Sequence, residues 1–285
     1  MLKTLTFTES WVSYLLMSTF VKIEEVETPE ESHGIVAILD ALGTKRVWEL
    51  PEPSLEARKW EVLAGMAELS QMNPRIVSGL WAPMPNAIPS GFKSEWILLY
   101  HVYAFSDTFI LTLSSMKPLT PHELLHWFGV RITELFANAL KNGISLRGAV
   151  SLGSFFETDH AVVGKAISDA GSIHEEAAWA GVVLSPNSID ELNKSDPNCS
   201  FCNRFWPTYD VPMTRERLAL TTRALAWPRF FPQALDPSMT RENVGMWLKK
   251  RPADKSALIK IENTLSFFDA MVLAEPSPNS GLSAP

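Results

Sequence analysis

Cysteine is nearly absent from this chain, and so are long apolar runs. Only two cysteines, Cys199 and Cys202, occur among 285 residues, which excludes the disulfide framework of small secreted domains. No segment approaches the roughly 20 consecutive apolar residues that span a bilayer. The apolar stretch at 11–17 also lacks the basic flank and the cleavage site of a signal peptide. These absences predict a cytoplasmic protein without a membrane partner.

Positive charge is the third scarce feature. Lysine and arginine together number 25 against 32 aspartates and glutamates, which gives a formal net charge of -7. Such a chain has no general electrostatic attraction for nucleic acid or anionic lipid, so any bound polyphosphate must meet locally placed cations. By contrast, the 46% hydrophobic content is enough to build a core. We therefore expect a folded globular protein with no nucleic-acid partner.

Changes in composition divide the chain into four segments. They are an N-terminal helix and acidic linker at 1–32, a main domain at 33–194, a helical extension at 195–274 and a disordered tail at 275–285. Apolar residues recur at helical spacing in the extension at 214–227, 240–250 and 254–271.

The main domain shows strand and helix patterns in the order β-α-β-β-α-β-β-α-β. Strands are predicted at 34–39, 96–105, 108–113, 144–153, 161–163 and 182–184. Helices are predicted at 54–72, from Pro121 to the Asn142-Gly143 stop, and at 165–179. This order predicts an α/β (α+β) fold, in which helices pack on a sheet that resembles a ferredoxin-like core with additions.

Two aspartates stand where strands of this sheet end. Asp40 closes the first core strand, and Asp107 lies at the tip of the next hairpin. Neighbouring antiparallel strands can bring both carboxylates to one sheet edge, where paired oxygen ligands suit Mg²⁺ or Mn²⁺. The turn after Asp40, from Ala41 to Thr44, offers backbone N–H groups to a triphosphate. The alternative is a helix cap at Asp40 and an ordinary turn residue at Asp107.

Four short motifs follow one another along the chain. They are Ile38-Leu39-Asp40-Ala41-Leu42-Gly43, Phe105-Ser106-Asp107, Arg147-Gly148-Ala149-Val150-Ser151-Leu152-Gly153 and Gly164-Lys165-Ala166-Ile167-Ser168-Asp169-Ala170. In this order, over residues 34–185, the chain resembles the class III adenylate and guanylate cyclases. The resemblance implies two divalent metal ions, Mn²⁺ or Mg²⁺, held by Asp40, Asp107 and the carbonyl of Ala41. It also implies nucleotide binding by Leu42, Gly43, Thr44, Tyr103, Arg147 and Lys165.

Two of these candidates have alternative interpretations. Arg147-Gly148-Ala149 is also typical of a buried strand whose glycine permits close packing. Lys165 also fits a solvated lysine at the start of a helix.

The positions that read a purine in these cyclases hold other residues here. Tyr103 and Ala161 stand where the family has the lysine and aspartate that recognise adenine. Ser168 and Ser172 stand where it has the asparagine and arginine that stabilise the ribose and the transition state. A tyrosine cannot present the charged donor of a lysine, and its bulk favours a one-ring base.

The chain also resembles the bacterial pyrimidine cyclases of the Pycsar antiphage systems. They share the pattern Asp-x-Leu-Gly, Ser-Asp, Arg-Gly-Ala and Gly-x-Ala, followed by an acidic helix and a Trp-x-Gly, which here is Trp179-Ala180-Gly181. The resemblance implies a homodimer with composite active sites that converts UTP or CTP to the 3',5'-cyclic monophosphate and pyrophosphate. The product would be a second messenger for a separate effector that the cyclase does not bind.

Other motifs point to other functions. His122-Glu123-Leu124-Leu125-His126 matches the H-E-x-x-H pattern of zinc peptidases, but Ile132 occupies the third-ligand position of the extended motif and a capping box explains Glu123. Cys199-Ser200-Phe201-Cys202 lacks the second ligand pair of a structural zinc site, which favours a small apolar turn. A degenerate cyclase that binds nucleotide without turnover is the non-enzymatic alternative.

Overall fold

A computed structural model describes residues 31–42, 98–105, 107–115, 119–141, 143–158, 161–196, 199–214, 219–229, 240–249 and 255–273. Most of the predicted segment 1–32, the helix predicted at 54–72 and the predicted tail at 275–285 lie outside these residues. The chain from Glu31 onward forms one compact unit.

The described strands form one large sheet and one small hairpin. They are β1 (Glu31–Leu42), β2 (Leu98–Phe105), β3 (Thr108–Ser115), β4 (Ser145–Thr158), β5 (Ala161–Val163), β6 (Gly181–Leu184), β7 (Thr208–Val211) and β8 (Leu220–Arg223). The large sheet has the order β2-β3-β1-β4-β5, and β6 lies parallel beside β4. The other pairs in this sheet are antiparallel. Among the described strands, β7 and β8 form a separate two-stranded antiparallel sheet.

The described helices are α1 (Pro121–Lys141), α2 (Lys165–Gly171), α3 (Pro186–Ser195), α4 (Ser200–Phe205), α5 (Arg241–Leu248) and α6 (Lys255–Leu273). Helix α1 begins with the predicted capping box: the Glu123 carboxylate accepts from the backbone N–H of Thr120 at 2.8 Å, and Thr120 Oγ1 accepts from the backbone N–H of Glu123 at 3.3 Å. Within the described ranges, no helix has the length and hydropathy needed to cross a membrane.

Strand β1 lies in the middle of the sheet, and both of its faces are covered. Ile35, Val36, Ala37 and Leu39 are completely buried. The nearly unbroken apolar run of this strand predicts such burial, because a strand covered on both faces needs no polar alternation. The sheet with packed helices confirms the predicted fold class.

The two faces of β1 pack against different parts of the protein. Ile35, Ala37 and Leu39 belong to the large core that includes residues of α1. Val36 packs instead with Phe155 and with Ala166 of α2. Side chains two residues apart share a face, so Asp40 lies on the same face as Val36, the face that α2 covers.

Two segments differ from the sequence-based expectation. Helix α2 ends at Gly171 rather than at 179, and residues 172–176 form turns. The helix predicted at 214–227 is wrong over 220–223, which form β8. There the Thr222 hydroxyl donates to the Leu184 carbonyl at 2.8 Å, a tertiary contact that β-branched residues in a strand can make. The helices predicted at 240–250 and 254–271 are confirmed as α5 and α6.

Candidate functional site

The backbones of Asp40 and Asp107 meet at one end of the sheet. Asp40 lies near the end of β1, and Asp107 lies in the turn between β2 and β3. The backbone N–H of Ala41 donates to the carbonyl of Asp107 at 2.8 Å. Because β1 and β3 are hydrogen-bonded neighbours, Asp40 also pairs with Thr108, the residue after Asp107. The two aspartates are therefore adjacent at the level of the backbone.

The Asp40 carboxylate has partners on both of its oxygens. Oδ1 accepts a 2.6 Å hydrogen bond from the Thr108 hydroxyl. Oδ2 lies 3.8 Å from a terminal nitrogen of Arg147 and 3.5 Å from His174 Nε2. The side chain of Asp40 is only 15% exposed, so these contacts act where water screens charge weakly. The hydrogen bond from Thr108 fixes the orientation of the carboxylate.

His174 turns one ring nitrogen towards Asp40. Its Nδ1 lies 2.8 Å from the carbonyl oxygen of Gly171, which can only accept, so Nδ1 carries a hydrogen. Nε2 then faces Asp40 Oδ2 at 3.5 Å and Glu175 Oε1 at 3.8 Å. Ligand atoms of these three side chains all lie within 4.8 Å of one another. With the hydrogen on Nδ1, the neutral ring has its lone pair on Nε2, which is a possible metal ligand beside the two carboxylates.

Arg147 holds this arrangement in place from β4. It pairs with Asp40 across the sheet, and its NH1 donates to the carbonyls of Glu175 at 2.6 Å and Ala177 at 3.2 Å. Burial lowers the pKa of Arg147, and the charges of Asp40 and Glu175 raise it by smaller amounts. The guanidinium remains charged. By anchoring the turn after α2, Arg147 keeps His174 and Glu175 beside Asp40.

Gly148 allows β4 to lie close to β1 at this point. A Cβ atom at this position would lie 2.9 Å from Leu39 Cα and still closer to the carbonyl oxygen of Ile38. Both neighbours are backbone atoms, so any larger residue would separate the strands next to Asp40 and Arg147. The close packing expected from the Arg147-Gly148-Ala149 motif is confirmed.

Tyr103 lies on the same face of the sheet as Asp40. It pairs with Ile110, which pairs with Ile38, and paired residues of neighbouring strands project to one side. Its hydroxyl lies 2.9 Å from Glu157 Oε1 and 2.9 Å from the Thr158 carbonyl, and it can donate to either. The structure therefore brings Tyr103 to the β4–β5 hairpin, where Thr158 pairs with Ala161.

Glu157 is the charged group of this second cluster. Besides Tyr103, it accepts a hydrogen bond from the Thr112 hydroxyl at 2.6 Å and lies 2.9 Å from His101 Nδ1. Its side chain is 12% exposed. A carboxylate surrounded by donors is held in one orientation, so Glu157 ties the hairpin to β2 and β3.

The described contacts do not connect the other predicted nucleotide-binding residues with Asp40. The turn predicted from Ala41 to Thr44 is wrong at Ala41 and Leu42, because both residues continue β1 and pair with β4. Gly43 and Thr44 lie outside the described residues. Lys165 begins α2 and is exposed, as is Ser168. The Ser172 hydroxyl donates to the carbonyl of Asp169 at 2.7 Å.

The H-E-x-x-H segment has structural roles that do not favour the peptidase alternative. The Glu123 carboxylate is used in the helix cap, where it also accepts from the Thr120 hydroxyl at 2.9 Å. His126 is 6% exposed, and its ring packs edge-on against Trp127. Burial lowers the pKa of His126 to about 4. A water-activating glutamate and a pair of accessible histidines are therefore not available in the form that zinc hydrolysis needs.

We expect acid to destabilise the protein through His126. Between pH 6.5 and pH 4 the unfolded chain binds a proton at this histidine and the folded chain does not, because the folded pKa is about 4. The free energy of unfolding should therefore fall as the pH falls through this window, by up to about 3 kcal/mol. In His126→Phe this part of the pH dependence should disappear, as measured by urea unfolding at pH 4.5 and pH 7. An identical pH dependence in variant and wild type would contradict the assignment.

Sequence reasoning did not identify Thr108, His174, Glu175 or Glu157 as site residues. Thr108 was within reach, because a two-residue turn at 106–107 places it beside Asp107. His174 and Glu175 were hidden by the expectation of an uninterrupted helix to 179. Glu157 reaches Tyr103 across 54 residues of chain, and no local pattern signals such a contact.

Comparisons with known proteins add little to this geometry. No protein-family model matches the chain, and no curated protein matches it. Among solved structures, the chain is similar to the catalytic core of a rhodopsin-guanylyl cyclase with converted specificity in complex with ATPαS. The identity is 10% and the TM-score 0.37, over 70% of this chain and 97% of that chain. A likeness at this level carries no argument, so the function must be inferred from the site.

Proposed function

We propose that this chain is a nucleotidyl cyclase that converts UTP or CTP to its 3',5'-cyclic monophosphate and pyrophosphate. The observation that carries the proposal is the junction of Asp40 and Asp107, joined by the hydrogen bond from Ala41 to the Asp107 carbonyl. Two acidic residues at one end of the sheet suit phosphoryl transfer, in which divalent ions join protein carboxylates to a triphosphate. The ordered motifs shared with class III cyclases support the same assignment.

The ligand atoms at this end of the sheet fit a divalent cation. Carboxylate oxygens are the ligands that Mg²⁺ and Mn²⁺ prefer, and an imidazole nitrogen such as His174 Nε2 is also suitable for transition metals. Asp40 and Asp107 would hold two such ions, with the Ala41 carbonyl as a further ligand, and His174 and Glu175 lie close enough to Asp40 to assist. When bound, the ions neutralise the triphosphate and make the ribose hydroxyl more acidic.

The side chains around Asp40 would orient its carboxylate for metal and substrate binding. The Thr108 hydroxyl occupies one lone pair of Asp40 Oδ1, and a metal ion would bind through the remaining lone pairs of the carboxylate. Arg147 lies 3.8 Å from Asp40 Oδ2, so its guanidinium charge offsets part of the negative charge of this carboxylate.

Tyr103 would limit the size of the base. Tyr103 lies on the same face of the sheet as Asp40. Its hydroxyl lies within hydrogen-bond distance of Glu157 and of the Thr158 carbonyl, both in the β4–β5 hairpin. A ring fixed at this point shortens the space for a base, which favours a pyrimidine over a purine. By resemblance to the Pycsar cyclases, we favour UTP over CTP, a homodimer with composite sites, and a cytoplasmic role in antiphage signalling through a separate effector.

The test is incubation of the purified full-length chain with each of the four nucleoside triphosphates and Mn²⁺, followed by mass spectrometry of the products. We expect cyclic UMP or cyclic CMP with an equal amount of pyrophosphate, and no product in EDTA. Cyclic AMP or cyclic GMP as the main product would contradict the base assignment. Tight binding of triphosphate without turnover would instead support the non-catalytic sensor. This alternative is relevant because the chain has Ser168 and Ser172 where the resembled cyclases have the asparagine and arginine that stabilise the transition state.

A further inference from the structure

Three sulfur and nitrogen ligands converge where α1 meets α4. His122 lies in the first turn of α1, and Cys199 and Cys202 lie at the start of α4. His122 Nδ1 is 2.9 Å from Cys202 Sγ. The ligand atoms of all three side chains lie within 4.8 Å of one another. The H-E-x-x-H and C-x-x-C motifs thus lie next to each other in space. In sequence, His122 and Cys199 are 77 residues apart.

The local backbone presents both sulfurs to the same point. Cys199 is the N-cap residue of α4, and its sulfur accepts a 3.4 Å hydrogen bond from the backbone N–H of Cys202. Both cysteines are free thiols; Cys202 is 1% exposed and Cys199 is half-buried. The cluster is therefore largely shielded from water.

The imidazole of His122 is oriented as a metal ligand would be. Its Nδ1 faces Cys202 Sγ and is the atom that would coordinate a metal. The ring also has the backbone of Leu192 as a hydrogen-bond partner. With a metal on Nδ1, Nε2 would carry the N–H that ligating histidines donate to a second group.

The geometry is close to that of a tetrahedral zinc site. With Zn–S near 2.3 Å and Zn–N near 2.1 Å, the ligand atoms of such a site lie about 3.5 to 3.8 Å apart. The His122 Nδ1 to Cys202 Sγ distance of 2.9 Å is shorter than this spacing, and all three ligand atoms lie within 4.8 Å of one another. The side chains would have to move apart slightly to admit the ion. Two thiolates with one imidazole select zinc over the oxygen-preferring Mg²⁺ and Mn²⁺.

We propose that His122, Cys199 and Cys202 bind a zinc ion and leave a fourth position for water. The ion would fasten the start of α1 to the start of α4. Since α1 packs on the large sheet, the zinc would hold the segment after 195 against the main domain. This stabilising role is independent of the function proposed for the Asp40 site.

The test measures zinc in the full-length protein. We expect about one zinc per chain by mass spectrometry after purification without added metal, thermal stabilisation of the stripped protein by Zn²⁺, and thiolate-to-metal absorption bands with Co²⁺. Cys199→Ser, at the less buried cysteine, should weaken zinc affinity at least about a hundredfold, since loss of even an outer partner costs 10- to 100-fold. His126→Phe should keep the zinc, because His126 is not part of the cluster.

Two results would overturn the proposal. One is a folded wild-type protein that neither contains zinc nor is stabilised by it. The other is a zinc content that depends on His126 or Glu123 but not on Cys199, which would indicate a peptidase-like site instead. Circular dichroism of each variant identifies those that fail to fold, and for a misfolded Cys199→Ser the Co²⁺ absorption of the wild type decides whether thiolates bind the metal.

Discussion

Asp40→Asn and Asp107→Asn are each expected to reduce cyclase turnover at least about a thousandfold while the protein stays folded. An amide in place of a carboxylate removes the charge that holds a divalent ion, and metal-ion stabilisation of a transition state is worth several kcal/mol. At Asp40 the substitution also leaves His174 and Arg147 without their shared carboxylate. The measurement is the initial rate of cyclic nucleotide formation at saturating Mn²⁺, together with the circular dichroism spectrum.

Asp190→Asn is the matched control, because Asp190 is an exposed carboxylate on α3. It should keep the wild-type rate. If either variant at Asp40 or Asp107 is as active as Asp190→Asn, the metal assignment is wrong. If both lose activity only because they unfold, Asp40→Glu, which retains the charge, should restore Mn²⁺ binding measured by calorimetry; failure to do so in a folded protein would count against the site.

Tyr103→Ala is expected to admit purines. Removing the ring opens the space that we assign to a one-ring base and releases the contacts to Glu157 and Thr158. The ratio of kcat/KM for UTP to that for ATP should fall at least about tenfold, because differences in pocket shape and in one buried hydrogen bond amount to roughly 1 to 3 kcal/mol. Competition among equimolar nucleoside triphosphates gives this ratio directly.

Tyr103→Phe separates the ring from its hydroxyl. It keeps the bulk and loses only the hydrogen bond to the hairpin, so it should retain most of the pyrimidine preference. Equal purine use by wild type and Tyr103→Ala would show that Tyr103 does not border the base. A loss of preference in Tyr103→Phe as large as in Tyr103→Ala would assign the effect to the hydroxyl and its partner Glu157 rather than to size.

The sequence predicts the strands of the main domain well, because their signals are local. The apolar run before Asp40 indicates a covered strand, and Ser106-Asp107 between two β-rich segments indicates the β2–β3 hairpin. Both are confirmed, as is the capping box of α1. What fails locally is the end of α2: the segment after Gly171 has helix-forming residues, but Arg147 binds two of its carbonyls and holds it in turns.

The sequence predicts only part of the site, because some of its contacts arise from tertiary packing. Asp40 and Asp107 follow strands, so their adjacency can be inferred from one hairpin and one sheet neighbour. His174 reaches Asp40 only because the turn after α2 is anchored to β4, and His122 reaches the two cysteines only because α1 contacts α4. These contacts depend on tertiary packing, which no periodicity in the sequence encodes.

The most direct test of the central claim is a crystal structure of the full-length protein with Mn²⁺ and 3'-deoxy-UTP, which lacks the reacting hydroxyl. Anomalous scattering identifies the manganese positions independently of the model used for the protein. We predict manganese within bonding distance of the carboxylates of Asp40 and Asp107, with the triphosphate on the same ions and the uracil beside Tyr103. Manganese and nucleotide bound away from Asp40 and Asp107 would contradict the account.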